Sequence, residues 1–186
     1  MPTIPTHAMT AVAIGTAFSR KAVPARWWGV AAVCAMAPDA DVAGFALGVH
    51  YEDFLGHRGF THSLCFAALL ALALVVFDRN ARVKTDRRVL WLYLFVCTAS
   101  HGLLDALTDG GLGVALLAPF DNSRYFFPVR PLAVSPIGIA EFRSGEAWPV
   151  IASELRWIWL PSAILVGIAG LVRRGMGPAT ERVERE

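Results

Sequence analysis

Histidine and aspartate recur inside apolar stretches of this sequence, and their spacing is that of metal ligands. His101 and Asp105 stand four residues apart in HGLLD, so on a helix both side chains leave the same face. An imidazole and a carboxylate placed that way suit a divalent cation. Asp39 and Asp41 follow Pro38 as a pair of carboxylates, at a proline where a helix is expected to stop. The run His57-Arg58-Gly59-Phe60-Thr61-His62-Ser63 sets two imidazoles and a guanidinium on a turn that opens a helix, with Thr61 available as its cap. His7 adds a further imidazole. Two or more histidines with three or more carboxylates are enough for one or two ions, and a two-ion centre clamps the attacking water and the leaving oxygen of a phosphoester about 4 Å apart.

The elements that must position these groups are membrane helices. Apolar residues make up 55% of the 186 and charged residues 17%, against about a quarter charged in a soluble domain, and the mean hydropathy is +0.50. A net charge of +2 excludes the usual polybasic nucleic-acid binder. Cys34, Cys65 and Cys97 lie in apolar runs without CxxC spacing, which reads as buried thiols. Three runs have the length that crosses a hydrocarbon core of about 30 Å: Phe60 to Phe77, Val89 to Leu107 and Leu155 to Val172. Two shorter ones, Ala8 to Phe18 and Trp27 to Ala37, are expected to form a partial-depth helical hairpin packed on the longer helices. Met1 to Ala8 lacks the positive region of a signal peptide. The fold class that follows is all-α: a polytopic bundle of about five helical segments, with an irregular cap from Asp109 to Ser153. Residues 1–175 form a single membrane domain, and 176–186 a short polar tail.

Charge sets the orientation. The segments around Arg20, Lys21 and Arg26, around Arg79 to Arg88, and after the last helix hold 12 of the 17 basic residues. By the positive-inside rule these three segments are cytoplasmic. Counting from these basic ends, His7, Asp39, His62, His101 and Asp105 lie 13 to 17 residues along their segments, about 20–25 Å up the bundle. Five segments therefore bring ionisable groups to one level in the outer half of the membrane. Such groups are costly there unless they pair, hold an ion or line a watery cavity.

Each of these residues also has a plainer reading. A lone histidine in an apolar helix is more often a hydrogen-bonded structural group, but Asp105, His62 and Asp39 at equal depth turn His101 toward ligation. His7 could cap the first helix, and His57 could orient another ligand rather than bind. His50 reads as surface, and Asp109 as either a cap or a site residue. Arg124 and Arg130, in DNSRYFFPVRP, are either loop charges or clamps for phosphate oxygens. The six tryptophans read as interfacial anchors.

The order of motifs resembles a known family. A leading His7, then PDAD, HRGFTHS, HGLLDALTDGG and a PF…R segment is similar to the YdjM-type inner-membrane metal-dependent hydrolases, a family that also carries a LexA-binding label. The resemblance runs from His7 to about Pro136, and zinc-dependent phospholipase C is a more distant likeness through its His-x-x-x-Asp element. It implies a bacterial inner-membrane location and places the family pattern on His7, Asp39, Asp41, His57, Arg58, His62, His101 and Asp105.

The residues and the resemblance together give one leading expectation: a membrane-embedded metal-dependent hydrolase. Its substrate class is a phosphoester of a lipid or lipid-linked compound at the outer leaflet. His7, Asp39, His57, His62, His101 and Asp105 would hold one or two divalent ions, zinc foremost. Asp41 would serve as general base, and Arg58 and Arg124 would neutralise developing phosphate charge. Two other readings use the same ligands: a carrier or metal-handling protein with an ion in transit, and a non-catalytic scaffold stapled by its metal.

Overall fold

The computed structural model describes residues 1–18, 23–78, 86–137 and 147–175, and within them the chain is a bundle of five helices with two isolated β-bridges and no sheet. Helix α1 is Ile4–Gly15, with Pro5 in its first turn, where a missing N–H costs nothing. Helix α2 is Ala25–Met36, continued without a break by a 3₁₀ segment, Ala37–Leu47. Helix α3 is Leu64–Phe77 and α4 is Arg87–Ala106. Helix α5 begins as Ala147–Glu154, passes through a π turn at Leu155–Trp159 and ends as Leu160–Gly175.

Three long apolar spans are present, with two of their positions shifted from expectation. Ala25–Leu47 is 23 residues, long enough to cross, because Pro38 falls in the first turn of the 3₁₀ segment and the chain tightens there instead of stopping. The expected span Phe60 to Phe77 is shorter: α3 has 14 residues, about 21 Å. Phe60–His62 is a separate 3₁₀ turn, and the helix cap is Ser63, not Thr61, with the amide of Phe66 donating to Ser63 Oγ at 3.0 Å. Arg87–Ala106 and Ala147–Val172 are the other two spans.

Helix α4 is the axis. Its Leu90, Tyr93, Leu94 and Cys97 pack with Ala11 of α1, with Ala31, Cys34 and Ala35 of α2, and with Ala71 and Val75 of α3. Small residues dominate the facing positions because helices in lipid associate through close backbone approach, not through exclusion of water. At one end of the bundle Arg26 Nη2 meets Asp78 Oδ2 at 3.0 Å, tying the start of α2 to the end of α3. Asp86 caps α4 at the same end, accepting from the amide of Arg88 at 2.8 Å. Of the other basic residues assigned to this side, Arg87 and Arg88 open α4 and Arg173 and Arg174 lie near the end of α5, whereas Arg20, Lys21, Arg79, Arg82, Lys84 and the tail 176–186 lie outside the described residues.

The opposite end carries the expected irregular cap. Segment 107–137 folds back over the helix ends through the bridges Thr108–Leu132 and Val114–Tyr125. The amide of Ala115 donates to the Arg58 carbonyl at 3.0 Å, and that of Leu64 to the Leu116 carbonyl at 3.0 Å. Asp109 serves the turn: its Oδ1 accepts from the amide of Val134 at 2.8 Å. His50 is exposed, as expected of a surface group.

Candidate metal centre

Antiparallel threading brings the ligand candidates together at the capped end. His7 comes from the first turn of α1, Asp39 from the 3₁₀ end of α2, His62 from the turn before α3, and His101 and Asp105 from the last turns of α4. One ligand atom from each of Asp39, His62, His101 and Asp105 lies within 4.8 Å of every other, and all four residues are buried.

Hydrogen bonds fix which nitrogens face inward. His101 Nδ1 donates to the Ala35 carbonyl at 2.7 Å, and since a carbonyl only accepts, the proton sits on Nδ1 and Nε2 presents a lone pair. His62 Nδ1 lies 3.2 Å from Asp41 Oδ2 and 3.1 Å from Thr61 Oγ1, and the Thr61 hydroxyl itself donates to Asp41 at 2.7 Å. That carboxylate holds the His62 proton on Nδ1 and turns its Nε2 inward as well. The two Nε2 atoms then face each other at 3.0 Å. Around them stand Asp39 Oδ1, 3.3 Å from His101 and 3.6 Å from His62, and Asp105 Oδ2, 3.6 Å from His62. None of the four carboxylate oxygens of Asp39 and Asp105 has a donor in hydrogen-bonding geometry. Lone pairs converging in a buried space repel unless a cation lies among them.

Charge bookkeeping agrees. Asp39, Asp41 and Asp105 bring three carboxylates to the site with little exposure, and among the described residues Arg58 is the guanidinium in ion-pair contact with them. Buried carboxylates in such number favour a bound cation. The donor set of imidazole nitrogen and carboxylate oxygen fits such an ion.

His7 borders the cluster. Its ring stacks on His101 with centroids 3.8 Å apart, Nε2 is 3.6 Å from Asp105 Oδ1, and neither ring nitrogen has a hydrogen-bond partner. His57 lies one step out: its Nδ1 is 2.8 Å from Asp41 Oδ1, and Asp41, His57 and His62 form a second group close enough to share an ion.

The three residues expected to do catalytic work are committed to protein partners. Asp41 is engaged by His57, Thr61 and His62, and so orients both imidazoles. Arg58 is almost wholly buried, at 1% exposure, and sits in the left-handed backbone region at φ 63°. Its Nε is 3.2 Å from Asp105 Oδ2, Nη1 donates to the Gly110 carbonyl at 2.8 Å, and Nη2 to Thr108 Oγ1 at 3.0 Å. Arg124 donates to the carbonyls of His57 and Tyr51, both at 2.9 Å, and its guanidinium lies over the Tyr51 ring. These contacts use several of its five N–H donors.

Two participants were not singled out from sequence. Glu154 is buried and accepts from the Thr3 and Thr6 hydroxyls, each at 2.7 Å, pinning α1 to α5 beside the cluster. An acidic residue four positions before IWL in an apolar span was the available signal. Gly102 is the other. A Cβ there would stand 2.3 Å from the His62 carbonyl oxygen, so only glycine lets α4 pass the turn that carries His62.

The Inner membrane protein YbcI of Escherichia coli (strain K12) is 41% identical over 174 residues, covering 94% of this chain and all of that protein. No solved structure matches the chain. The profile described as YdjM inner membrane protein matches residues 1–176, and the chain belongs to that family of multi-pass inner-membrane proteins.

Proposed function

We propose that this protein is a membrane-embedded, metal-dependent hydrolase of phosphoester bonds in a lipid or lipid-linked substrate, with its site toward the outer leaflet. The observation that carries the reading is the pair of inward Nε2 atoms 3.0 Å apart, among four carboxylate oxygens that lack donors. Asp39, His62, His101 and Asp105 would hold the ion, with His7 completing the set and zinc the expected metal. A divalent ion there supplies Lewis acidity and a more acidic water. The chain's own groups set the rest. Asp41 orients His62 and His57, and Arg58 holds Asp105 in place while offsetting its charge. Arg124 braces the loop that carries His57. His7, with both ring nitrogens unpartnered, is also the imidazole free to move a proton at the edge of the cluster.

The scaffold reading, in which an ion only staples helices, draws on how deeply the ligands are buried. Asp39 weighs against it, because that residue also borders a groove open at the bundle surface beside the cluster. The outward orientation rests on the bias of basic residues to the opposite end.

The test is metal content of detergent-purified wild type against His101→Ala and Asp105→Ala, followed by phosphate release from lipid phosphoesters in mixed micelles. Near-stoichiometric metal and turnover in the wild type, both lost in the two variants, is the expected result. A wild type that can be neither purified with metal nor loaded with it sinks the reading. Metal without turnover on any phosphoester leaves the staple as the function.

A further inference from the structure

Beside the candidate metal centre lies a groove whose apolar lining the centre itself does not require. It has a volume of about 590 Å³ and runs between the start of α1, segment 135–137 and α5, with Ile4, Pro5, Ile137, Ile151 and Leu155 among its apolar walls. Its inner end is Asp39, 5% exposed, whose two oxygens have no donor. A second groove, about 990 Å³, shares Leu155 and Trp159 with the first and continues between α1 and α5 past Val12 and Ala163 to Val166. Both volumes fall in the range of small-molecule sites, about 300–1,000 Å³.

The path has a direction. The first groove stands at the level of the His/Asp cluster, and the second lies nearer the basic end. From Leu155 to Val166 it follows α5 for about 16 Å at a helical rise of about 1.5 Å per residue. Its outer wall is the span in which 6% of residues are buried, so its mouth is continuous with the lipid-facing surface of the bundle. A polar end at the outer level, with an apolar track running inward from it, is the shape of a membrane lipid standing in its own leaflet.

We propose that the joined grooves hold one hydrocarbon chain of a membrane lipid, entering sideways between α1 and α5 and placing the lipid's polar end at Asp39. This deepens the hydrolase reading by naming how its substrate arrives, and it rests on that reading for the consequence but not for the binding. Glu154 sets the opening: by accepting from Thr3 and Thr6 it fixes the separation of the two walls. Trp159 adds a third tie, its Nε1 donating to Thr6 Oγ1 at 2.8 Å.

Photo-crosslinking tests it. The protein is placed in phosphatidylethanolamine/phosphatidylglycerol vesicles containing a phosphatidylglycerol that carries a diazirine either near the glycerol or near the chain end. The near-glycerol probe should label Val42 and Ser135, and the chain-end probe Val12 and Ala13. Ala163→Trp, which fills the track, should cut chain-end labelling of Ala13 at least tenfold while leaving Leu171 on the open face of α5 unchanged. Ala152→Leu, a smaller filling change on the same wall, should cut it several-fold if the tryptophan variant fails to fold. Labelling confined to Leu165 and Leu171, or equal at Ala13 with and without the filling residue, overturns the proposal. So do crosslinks between two copies at Val12 and Leu155, which would make the track a subunit contact. Metal content and hydrolysis are read separately. Groove labelling that survives in His101→Ala with no metal keeps the lipid site and removes the hydrolase, whereas hydrolysis of a short-chain soluble phosphoester without groove labelling does the reverse.

Discussion

Gly102→Ala probes the centre without touching a ligand. The new Cβ would stand 2.3 Å from the His62 carbonyl oxygen and 3.3 Å from Leu116 Cδ2. Ordinary contact begins at 3.4 Å, so α4 and the 60–62 turn must separate by about 1.1 Å, the difference of those two distances. Overpacking of this kind costs about 1–3 kcal/mol. The larger effect falls on metal binding, because His62 moves with its carbonyl, whereas ligand distances tolerate only about ±0.2 Å. A loss of about 10–100-fold in metal affinity is expected, the size seen when orienting contacts of a ligand are removed. The assay is competition with a chelating dye in detergent, with thermal unfolding read in parallel. Gly29→Ala, inside α2 with nothing within 4 Å of the added Cβ, is the matched control: it should leave metal affinity unchanged and, if anything, raise stability slightly. Wild-type affinity in a folded Gly102→Ala protein would refute the reasoning that the α4–turn approach sets the ligand geometry.

Arg58→Met removes the guanidinium paired with Asp105 and leaves that carboxylate buried. The expected cost is about 3–5 kcal/mol in metal-stripped protein, measured by denaturant unfolding in micelles, and distinctly less once a divalent ion is added. Asp41→Asn keeps the shape but weakens the hold on His57 and His62, so metal affinity should fall about 10–100-fold with little loss of stability. A chelator titration checks that. Glu154→Ala leaves the Thr3 and Thr6 hydroxyls without their acceptor and should cost about 2–4 kcal/mol. Faster hydrogen exchange in 1–10 with α4 unchanged is the accompanying readout.

The convergence of the ligands could be read from the chain because helical rise, counted from the basic ends, puts them at one level. His101 and Asp105 share a face at i, i+4, and His62, Asp39 and His7 meet them in one cluster. What a fixed rise could not give was the 3₁₀ continuation after Pro38: a proline that ends an α-helix also starts a tighter one, and only the packing of Asp39 against His62 and His101 selects the second outcome. Capping was ambiguous for a similar reason. Thr61 and Ser63 both offer hydroxyls, and Asp41, distant in sequence, claims Thr61 and leaves Ser63 to the helix. The roles of Asp41, Arg58 and Arg124 depended on how many of their donors or lone pairs the fold consumes, a quantity that residue type does not carry. Glu154 was hidden because its partners, Thr3 and Thr6, stand about 150 residues away, at separations of 151 and 148.

The order in which the chain delivers its ligands has a consequence for synthesis. His7, Asp39, Asp41 and His62 all precede α4, and Asp105, the partner of Arg58, is at its far end. While the first three helices are in place and the fourth is still in the ribosome, Arg58 lacks its carboxylate and Asp39 lacks His101. The half-built bundle is therefore the species least able to keep its polar groups out of hydrocarbon. Arrival of HGLLD brings the last two ligands and the partner of Arg58 together, so α4 acts as the latch of membrane assembly.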